Sequence, residues 1–507
     1  MTRRRRRLGI LLLVPAVVGL AAYAWTDRFV PRLIRSVSRL IQGPGIFEVK
    51  PYLQLGDAPG LGADGRETLA LLWQTSDREA SWSVEVKAAS EGPWNTEAPA
   101  TWRRISVGGV PRFRLYRSTL TGLIPGEPFA YRVRQGGNIV FEAGGRGRKP
   151  AGKPHRFVVF GDCAAGTSEQ SAVAFQAYNA GPDYVVVTGD VVYTRGRVSE
   201  YLDTFFPIYN EDKVSPGGGA PLLRSTLFMA APGNHDLIER NLDAYPDGLA
   251  YFYYWAQPLN GPEVASGANG TPILKGSASR QRAYLEAAGR AYPRMANFSF
   301  DYGDVHWTIL DANTYSDWTD PVFRDWLEAD LASAQNAAWR VVAFHQPGFH
   351  SSRTHAEDQR MRLLAPVFES GKVAVVFNGH VHNYQRSRPI RFVPNPPPAD
   401  GGGKAYGPYG QVEGRLSVDT TYDGLAHTEP EGVIYVVTGA GGARLYDTGQ
   451  NDDPGSWKDY TARFVSNVHS LTVADVTPRA LMVRQVSAEG KELDRFVVTR
   501  NASPNIP

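Results

Sequence analysis

Apolar and polar positions follow two different rhythms along this 507-residue chain, and the change near residue 155 divides it. Between residues 44 and 148, Thr68–Thr75, Trp82–Lys87, Phe113–Leu120 and Phe129–Arg134 alternate apolar with polar, separated by Gly and Pro clusters. Short strands at such intervals predict an all-β sandwich. Gly144–Pro154 reads as a linker. Beyond it, apolar β-branched runs alternate with helical stretches, which predicts a layered α/β domain. Pro321–Ala338 reads as a helix with Phe323, Trp326, Leu327 and Leu331 on one side, and His355–Phe368 as another. Phe298–Asp311 reads as an antiparallel pair around a Tyr302-Gly303-Asp304 turn. The Pro- and Gly-rich residues 393–431 predict a long surface loop, and residues 432–439 and 469–500 return to strand patterns that should close a second sheet. No internal repeat is visible.

The N-terminus obeys neither rhythm. Arg3–Arg7 precede an uncharged stretch of 18 residues, Leu8–Trp25. A positive block before an apolar segment keeps the block cytoplasmic and predicts export of the downstream chain. Ala22-Tyr23-Ala24 fits signal-peptide cleavage, and the length equally suits a retained anchor. The expected location is therefore secreted or periplasmic if the leader is cut, and membrane-anchored facing outside the cytoplasm if it is kept. In residues 28–41, Arg28, Arg32, Arg35 and Arg39 form one helical stripe and apolar residues fall at 29, 30, 33, 34, 37, 40 and 41, the composition of a helix lying on an anionic membrane.

Charge sharpens this picture. The chain carries a net +3, but residues 1–41 hold nine Arg and one Asp, a net +8, so the remainder carries −5. Nothing in the exported portion suits nucleic acid. The single Cys163 excludes an intramolecular disulfide and zinc–thiolate clusters.

The chemistry sits where apolar runs stop. His155–Phe160 leads to Gly161-Asp162, and Tyr184–Thr188 to Gly189-Asp190 and Tyr193. Leu227–Ala231 leads to Gly233-Asn234-His235-Asp236, Arg340–Phe344 to His345, and Val373–Phe377 to Gly379-His380-Val381-His382. Parallel sheets gather functional groups at the carboxyl ends of their strands. Asp162, Asp190, Tyr193, Asn234, His345, His380 and His382 are seven candidate ligands of a kind suited to hard or borderline cations. One bridging carboxylate would let them serve two metals, the arrangement used for phosphoester hydrolysis. Gly-Asp after a strand is by itself usually a turn. Gly-His-x-His and Gly-Asn-His-Asp are more specific, and the five together in this order leave little room for a purely structural reading.

The series Gly161-Asp162, Gly189-Asp190-x-x-Tyr193, Gly233-Asn234-His235, His345 and Gly379-His380-x-His382-x-Tyr384 resembles that of purple acid phosphatases, within the calcineurin-like metallophosphoesterases. Leu120–Val133 is similar to the penultimate loop and strand of fibronectin type III-like modules, which plant-type purple acid phosphatases carry before the catalytic region. The resemblance implies an α/β (α+β) metallophosphoesterase β-sandwich flanked by helices, preceded by an all-β immunoglobulin/fibronectin III-like domain. The domains would be residues 1–41 (leader and basic amphipathic helix), 42–150 (fibronectin III-like) and 151–507 (catalytic).

The resemblance assigns Asp162, Asp190, Tyr193 and His382 to a first metal, and Asp190, Asn234, His345 and His380 to a second, with Asp190 bridging. It implies Fe3+ beside Tyr193 and Fe2+, Zn2+ or Mn2+ opposite. His235 would contact the phosphoryl oxygen or leaving group, and His355 stands where plant-type members place another active-site histidine. His155, His306, His427 and His469 are expected to be structural or surface residues. Ala164 replaces a histidine common in other metallophosphoesterases, and Gln385 replaces the Glu that commonly follows Tyr384. Gln385 and the Cys163-Ala164 pair depart from the family pattern beside the site, which leaves substrate preference open. The implied activity is hydrolysis of phosphomonoesters by in-line attack of a metal-bound hydroxide. A phosphodiesterase or phospholipase acting on lipid head groups is the alternative, and a non-catalytic surface binding protein a third reading. The expected partners are a small phosphoester and, through an uncut leader, a membrane. No protein partner can be inferred.

Overall fold

The computed structural model describes residues 45–89, 92–264, 270–396 and 410–500. Residues 1–41, and with them the leader and the basic helix, lie outside the described residues. Among the described residues no helix is long and apolar enough to cross a membrane.

The period-two rhythm of the N-terminal part builds eight strands. They are β1 (Val49–Gln54), β2 (Glu67–Ser76), β3 (Trp82–Lys87), β4 (Asn95–Thr96), β5 (Thr101–Ile105), β6 (Phe113–Leu123), β7 (Pro128–Gln135) and β8 (Asn138–Arg146). They form two four-stranded sheets, ordered β1-β2-β6-β5 and β4-β3-β7-β8. One face of each buries Trp73, Trp82, Tyr116, Tyr131 and Val133 in a shared core. The opposite face of the first sheet, with Tyr52, Leu72 and Leu115, packs against Tyr251–Trp255 of the following region.

The connection after the strand-rich region is shorter than Gly144–Pro154 and covers residues 147–154. Gly144–Arg146 are still strand, and Arg148 is buried against Glu67. Composition misled here because a Gly- and Arg-rich run reads as solvated, whereas this Arg has a buried carboxylate to meet.

The remaining strands are β9 (His155–Phe160), β10 (Tyr184–Val187), β11 (Asn210–Ser215), β12 (Gly219–Pro221), β13 (Leu227–Ala230), β14 (Phe298–Tyr302), β15 (Val305–Ile309), β16 (Trp339–Ala343), β17 (Val373–Asn378), β18 (Tyr384–Ser387), β19 (Ile390–Pro394), β20 (Gly414–Val418), β21 (Ile434–Thr438), β22 (Thr461–Val465), β23 (Ser470–Val476), β24 (Ala480–Ser487) and β25 (Glu492–Thr499). A six-stranded sheet runs β13-β10-β9-β23-β24-β25, and a seven-stranded sheet runs β14-β15-β16-β17-β21-β18-β22. Alternate residues face alternate layers. Phe157 and Val159 of β9 meet Val375 and Phe377 of β17 in the core between the sheets. Val158 and Phe160 face outward onto Val173, Ala174 and Ala177 of the helix Ser168–Asn179. On the far side, Val376 packs against Phe323, Leu327 and Leu331 of the helix Pro321–Ser333. The result is a β-sandwich with helices on its outer faces, the mixed α/β fold expected.

Four local expectations differ. Residues 432–439 and 469–500 do not close one sheet: β21 joins the seven-stranded sheet and β23–β25 the six-stranded one. The span 393–431 is not all loop, since β20 pairs with β19. The helix from Pro321 stops at Ser333, and His355–Phe368 is only a 3₁₀ turn, Arg360–Leu364, running into the short helix Ala365–Ser370. His355 cannot begin a helix because its φ is +61°.

The sandwich brings two sets of parallel strand ends to one rim. β9, β10 and β13 run parallel in one sheet, and β16, β17 and β21 in the other.

Candidate metal centre

Asp162 and Asp190 stand just beyond the carboxyl ends of β9 and β10, both in the left-handed region with φ of +57° and +47°. Asp tolerates this conformation better than most residues, and here hydrogen bonds hold it. The Asp162 carboxylate accepts the His380 backbone N–H at 3.0 and 2.9 Å to its two oxygens, a link between the two sheets. Asp190 Oδ1 accepts the His235 N–H at 2.8 Å. Both carboxylates are fully buried. The chain must pass very close to them: a Cβ at Gly379 or Gly439 would stand 2.6 or 2.7 Å from Asp162 Oδ2.

The other donors close around this pair. Tyr193 donates its hydroxyl to Asp162 Oδ1 at 3.2 Å and lies 3.0 Å from His382 Nε2. His382 Nε2 is 3.3 Å from Asp162 Oδ1, and His345 Nε2 is 3.2 Å from Asp190 Oδ1 and 3.8 Å from Asp162 Oδ1. Asn234 Oδ1 is 3.1 Å from His345 Nε2. The His380 ring packs at 5.1 Å from His345 and 4.0 Å from His355, centroid to centroid. All seven predicted ligands therefore meet at one rim. Outer hydrogen bonds fix two of the imidazoles: Nδ1 of His345 donates to Thr188 O at 2.8 Å, and Nδ1 of His382 to Arg444 O at 2.6 Å. Each turns Nε2 toward the carboxylates, the orientation that metal-binding histidines need.

His235 borders the same space. Its Nδ1 lies 2.8 Å from Thr194 O and its Nε2 3.9 Å from Asp190 Oδ2, and its ring lies 4.7 Å from that of Tyr193. His350 points away, onto His355 O. His155 and His306 are structural, His427 is exposed, and His469 Nε2 is bound to Ala443 O.

Three contributors escaped the sequence reading. Tyr446 stacks on His382 with ring centroids 3.9 Å apart and an interplanar angle of 10°. Asp236 is buried and accepts the N–H groups of Gly233 at 2.8 Å and Val191 at 3.1 Å, so it clamps the loops that carry Asn234 and Asp190. Gly439 follows β21, and its Val-Val-Thr-Gly run (436–439) has the same form as the five ligand-bearing runs. That form was the available signal.

The side chains shift one another's charge states. For Asp190, burial works upward, but His345 and His235 outweigh it and hold the carboxyl below the usual carboxylate range. Burial lowers His345, yet Asp190 and Asp162 raise it to about 9. Burial, then Asp162 and Asp190, push the Tyr193 phenol well up. Burial, with His345 and His355, pulls His380 well below an ordinary histidine.

This donor set fits cations. Asp162, Asp190 and His382 offer ligand atoms within 4.8 Å of one another, all three residues buried. Two carboxylates and a phenol buried together ask for positive charge, and a cation there would draw off the phenolic proton.

Residues 155–384 match the family model for calcineurin-like phosphoesterases. They form a calcineurin-like metallophosphoesterase domain. Over 246 residues the chain is 27% identical to purple acid phosphatase 22 of Arabidopsis thaliana, covering 48% of this chain and 47% of that one. Over 408 residues it is 24% identical to an uncharacterized protein of Mycobacterium tuberculosis, covering 75% of this chain and 68% of that one. A purple acid phosphatase from yellow lupin seeds shares the fold, with a TM-score of 0.59 at 18% identity over 89% of this chain and 74% of that one. The chain spans about half the length of the Arabidopsis relative it matches. The metallophosphoesterase family implies a dinuclear metal site, and the cluster around Asp162 and Asp190 is where one fits.

Proposed function

We propose that the chain is an exported dinuclear-metal phosphoesterase, an acid phosphatase that hydrolyses phosphomonoesters. The observation that carries this reading is the phenol of Tyr193 set 3.2 Å from Asp162 Oδ1 and 3.0 Å from His382 Nε2 at the rim where the other ligands gather. Asp162, Asp190, Tyr193 and His382 would hold one cation, and Asp190, Asn234, His345 and His380 the other. A ferric ion suits the tyrosinate side, with Fe2+, Zn2+ or Mn2+ opposite. Two such cations supply charge neutralisation at the phosphoryl oxygens and an activated water. The surrounding residues do the rest. Thr194 O holds Nδ1 of His235, so Nε2 is the nitrogen free to carry a proton into the site. His235 would stabilise the phosphoryl oxygens and, with His355, protonate the leaving alkoxide. No Ser or Cys nucleophile is needed, and Cys163 is buried with its thiol pushed up by burial. Residues 42–150 would be a fibronectin type III-like module and 151–507 the catalytic domain. The two facing four-stranded sheets support the first assignment.

The test is metal content and visible absorption of the purified protein, with turnover of an aryl phosphate and a bis-aryl phosphate. About two metals per chain, an absorption band that disappears in Tyr193→Phe, and preference for the monoester are expected. Asp190→Ala should lose at least about 10³ in kcat, since oriented electrostatic stabilisation of this kind is worth several kcal/mol. Normal turnover by Asp190→Ala would overturn the mechanism. Preference for the bis-ester would make the protein a diesterase.

A further inference from the structure

A cleft of about 310 Å³ opens between the strand-rich region and the metallophosphoesterase domain, away from the ligand cluster. β5 and β6 give one wall through Trp102, Arg103 and Arg117, and the other wall holds Gln257, Arg290 and Met295. Of its three cations one is neutralised within the cleft: Arg117 pairs at 3.3 Å with Asp57, a carboxylate of the same lining. Half-buried Arg103 donates only to backbone carbonyls, Ala288 O at 3.1 Å and Tyr253 O at 2.9 Å. Among the described residues no carboxylate pairs with Arg103, and Arg290 makes neither an ion pair nor a hydrogen bond. A guanidinium has five N–H groups, so Arg103 keeps donors beyond these two bonds that an incoming group can take. A cation taken partly out of water without an anion is costly, and an incoming anion would offset that cost. The apolar share comes chiefly from Trp102, which is 49% exposed and has the Arg114 guanidinium 4.1 Å from its ring centroid. Small-ligand sites have this volume, this position between structural units and this mixture of aromatic wall with few polar groups.

We propose that this cleft binds a small amphipathic organic anion, its head met by Arg103 and Arg290 and its flat body laid against Trp102. The site does not depend on the phosphoesterase reading. It does reach toward the other centre: Gln257 in its wall accepts the Ala230 N–H at 2.6 Å and donates to Ala230 O at 3.2 Å, at the end of the strand that leads to Asn234.

The probe is 8-anilinonaphthalene-1-sulfonate, titrated by fluorescence into the full chain with orthophosphate saturating the phosphoester site. The neutral control is N-phenyl-1-naphthylamine, which has the same rings and no sulfonate. Saturable binding of one sulfonate per chain is expected, with the neutral dye at least about tenfold weaker, the worth of a charge-assisted contact. Trp102→Ala and Arg290→Gln, both at exposed positions, should each weaken the sulfonate about tenfold without moving the unfolding temperature. Equal binding of the two dyes to the unaltered chain, or sulfonate binding undiminished in both variants, would overturn the proposal.

Discussion

Tyr193 shows how much a single side chain is asked to do. Its hydroxyl touches Asp162 and His382, while its ring packs on His235. Tyr193→Phe keeps the packing and removes the donor, so the fold should persist while affinity at that metal falls about 10- to 100-fold, as measured by metal retention during dialysis. Gly439→Ala tests the opposite limit, because no polar group is removed. The new methyl would press first on the Val381 backbone carbonyl, within the loop that carries His380 and His382, and then on Asp162 Oδ2. Retained metal and turnover should both fall about tenfold or more, and the unfolding temperature should fall as well, because main chain has to move. An alanine variant with full metal content would show that the Asp162 carboxylate has room to move. The ligands were legible because each is a polar residue directly after an apolar strand, and because the residue types agree with one chemistry. Tyr446 was not legible, since aromatic residues ordinarily mean packing and its partner His382 lies 64 positions away.

At the scale of elements, strands were legible and their partners were not. Alternation tells which residues face a core, but it does not tell which sheet a strand joins, so β21 and β23–β25 were assigned together wrongly. The supposed helix at His355 failed for a different reason. Asp447 holds residues 352–354 by accepting the Ser352 hydroxyl at 2.5 Å and the Thr354 N–H at 3.0 Å, a tertiary restraint that helical periodicity cannot report. His306 gives an element-level prediction. It sits on β15 with Nδ1 2.8 Å from Asp301 on β14 and Nε2 3.1 Å from Asp330 on the helix Pro321–Ser333. Burial lowers its pKa, but the two carboxylates raise it to about 9. The folded value lies above the unfolded value of about 6.5, so the stabilisation is complete below about pH 6.5 and lost as pH rises through about 9. Asp301 is largely exposed, which screens its share. His306→Gln should therefore cost on the order of 2 kcal/mol at pH 6 and much less at pH 10, by urea unfolding at both. A gap independent of pH would mean that His306 contributes only by packing.

For the whole molecule the question is whether the strand-rich region and the metallophosphoesterase domain fold as one. Their cores are continuous: Tyr52 and Leu72 pack with Tyr251–Trp255, and Tyr131 donates its hydroxyl to Arg224 O at 2.8 Å. Beside this joint, inside the strand-rich region, lies the Glu67–Arg148 pair, 0% and 1% exposed. Arg148 Nε and Nη2 donate to the two Glu67 oxygens at 2.7 and 2.8 Å, and Nη2 and Nη1 also bind Gly60 O and Ala58 O at 2.8 and 3.2 Å. Between those carbonyls, Pro59 O accepts the Asp301 N–H of β14 at 2.7 Å. One bidentate pair thus fastens β2, the loop after β1 and the edge of the seven-stranded sheet. Replacing both ions by apolar residues would be tolerable, since the desolvation of a buried pair cancels much of its attraction, whereas removing one strands the other. Glu67→Met alone should cost about 3–5 kcal/mol, and Glu67→Met with Arg148→Met should recover much of it. Because the loop this pair holds reaches β14 through Pro59 O, the unaltered protein should melt in one transition by calorimetry, and Glu67→Met should lower that transition or split it. If Glu67→Met instead melted like the parent, the pair would be an occupant of the joint rather than its fastening, and the continuous apolar core alone would hold the two regions together.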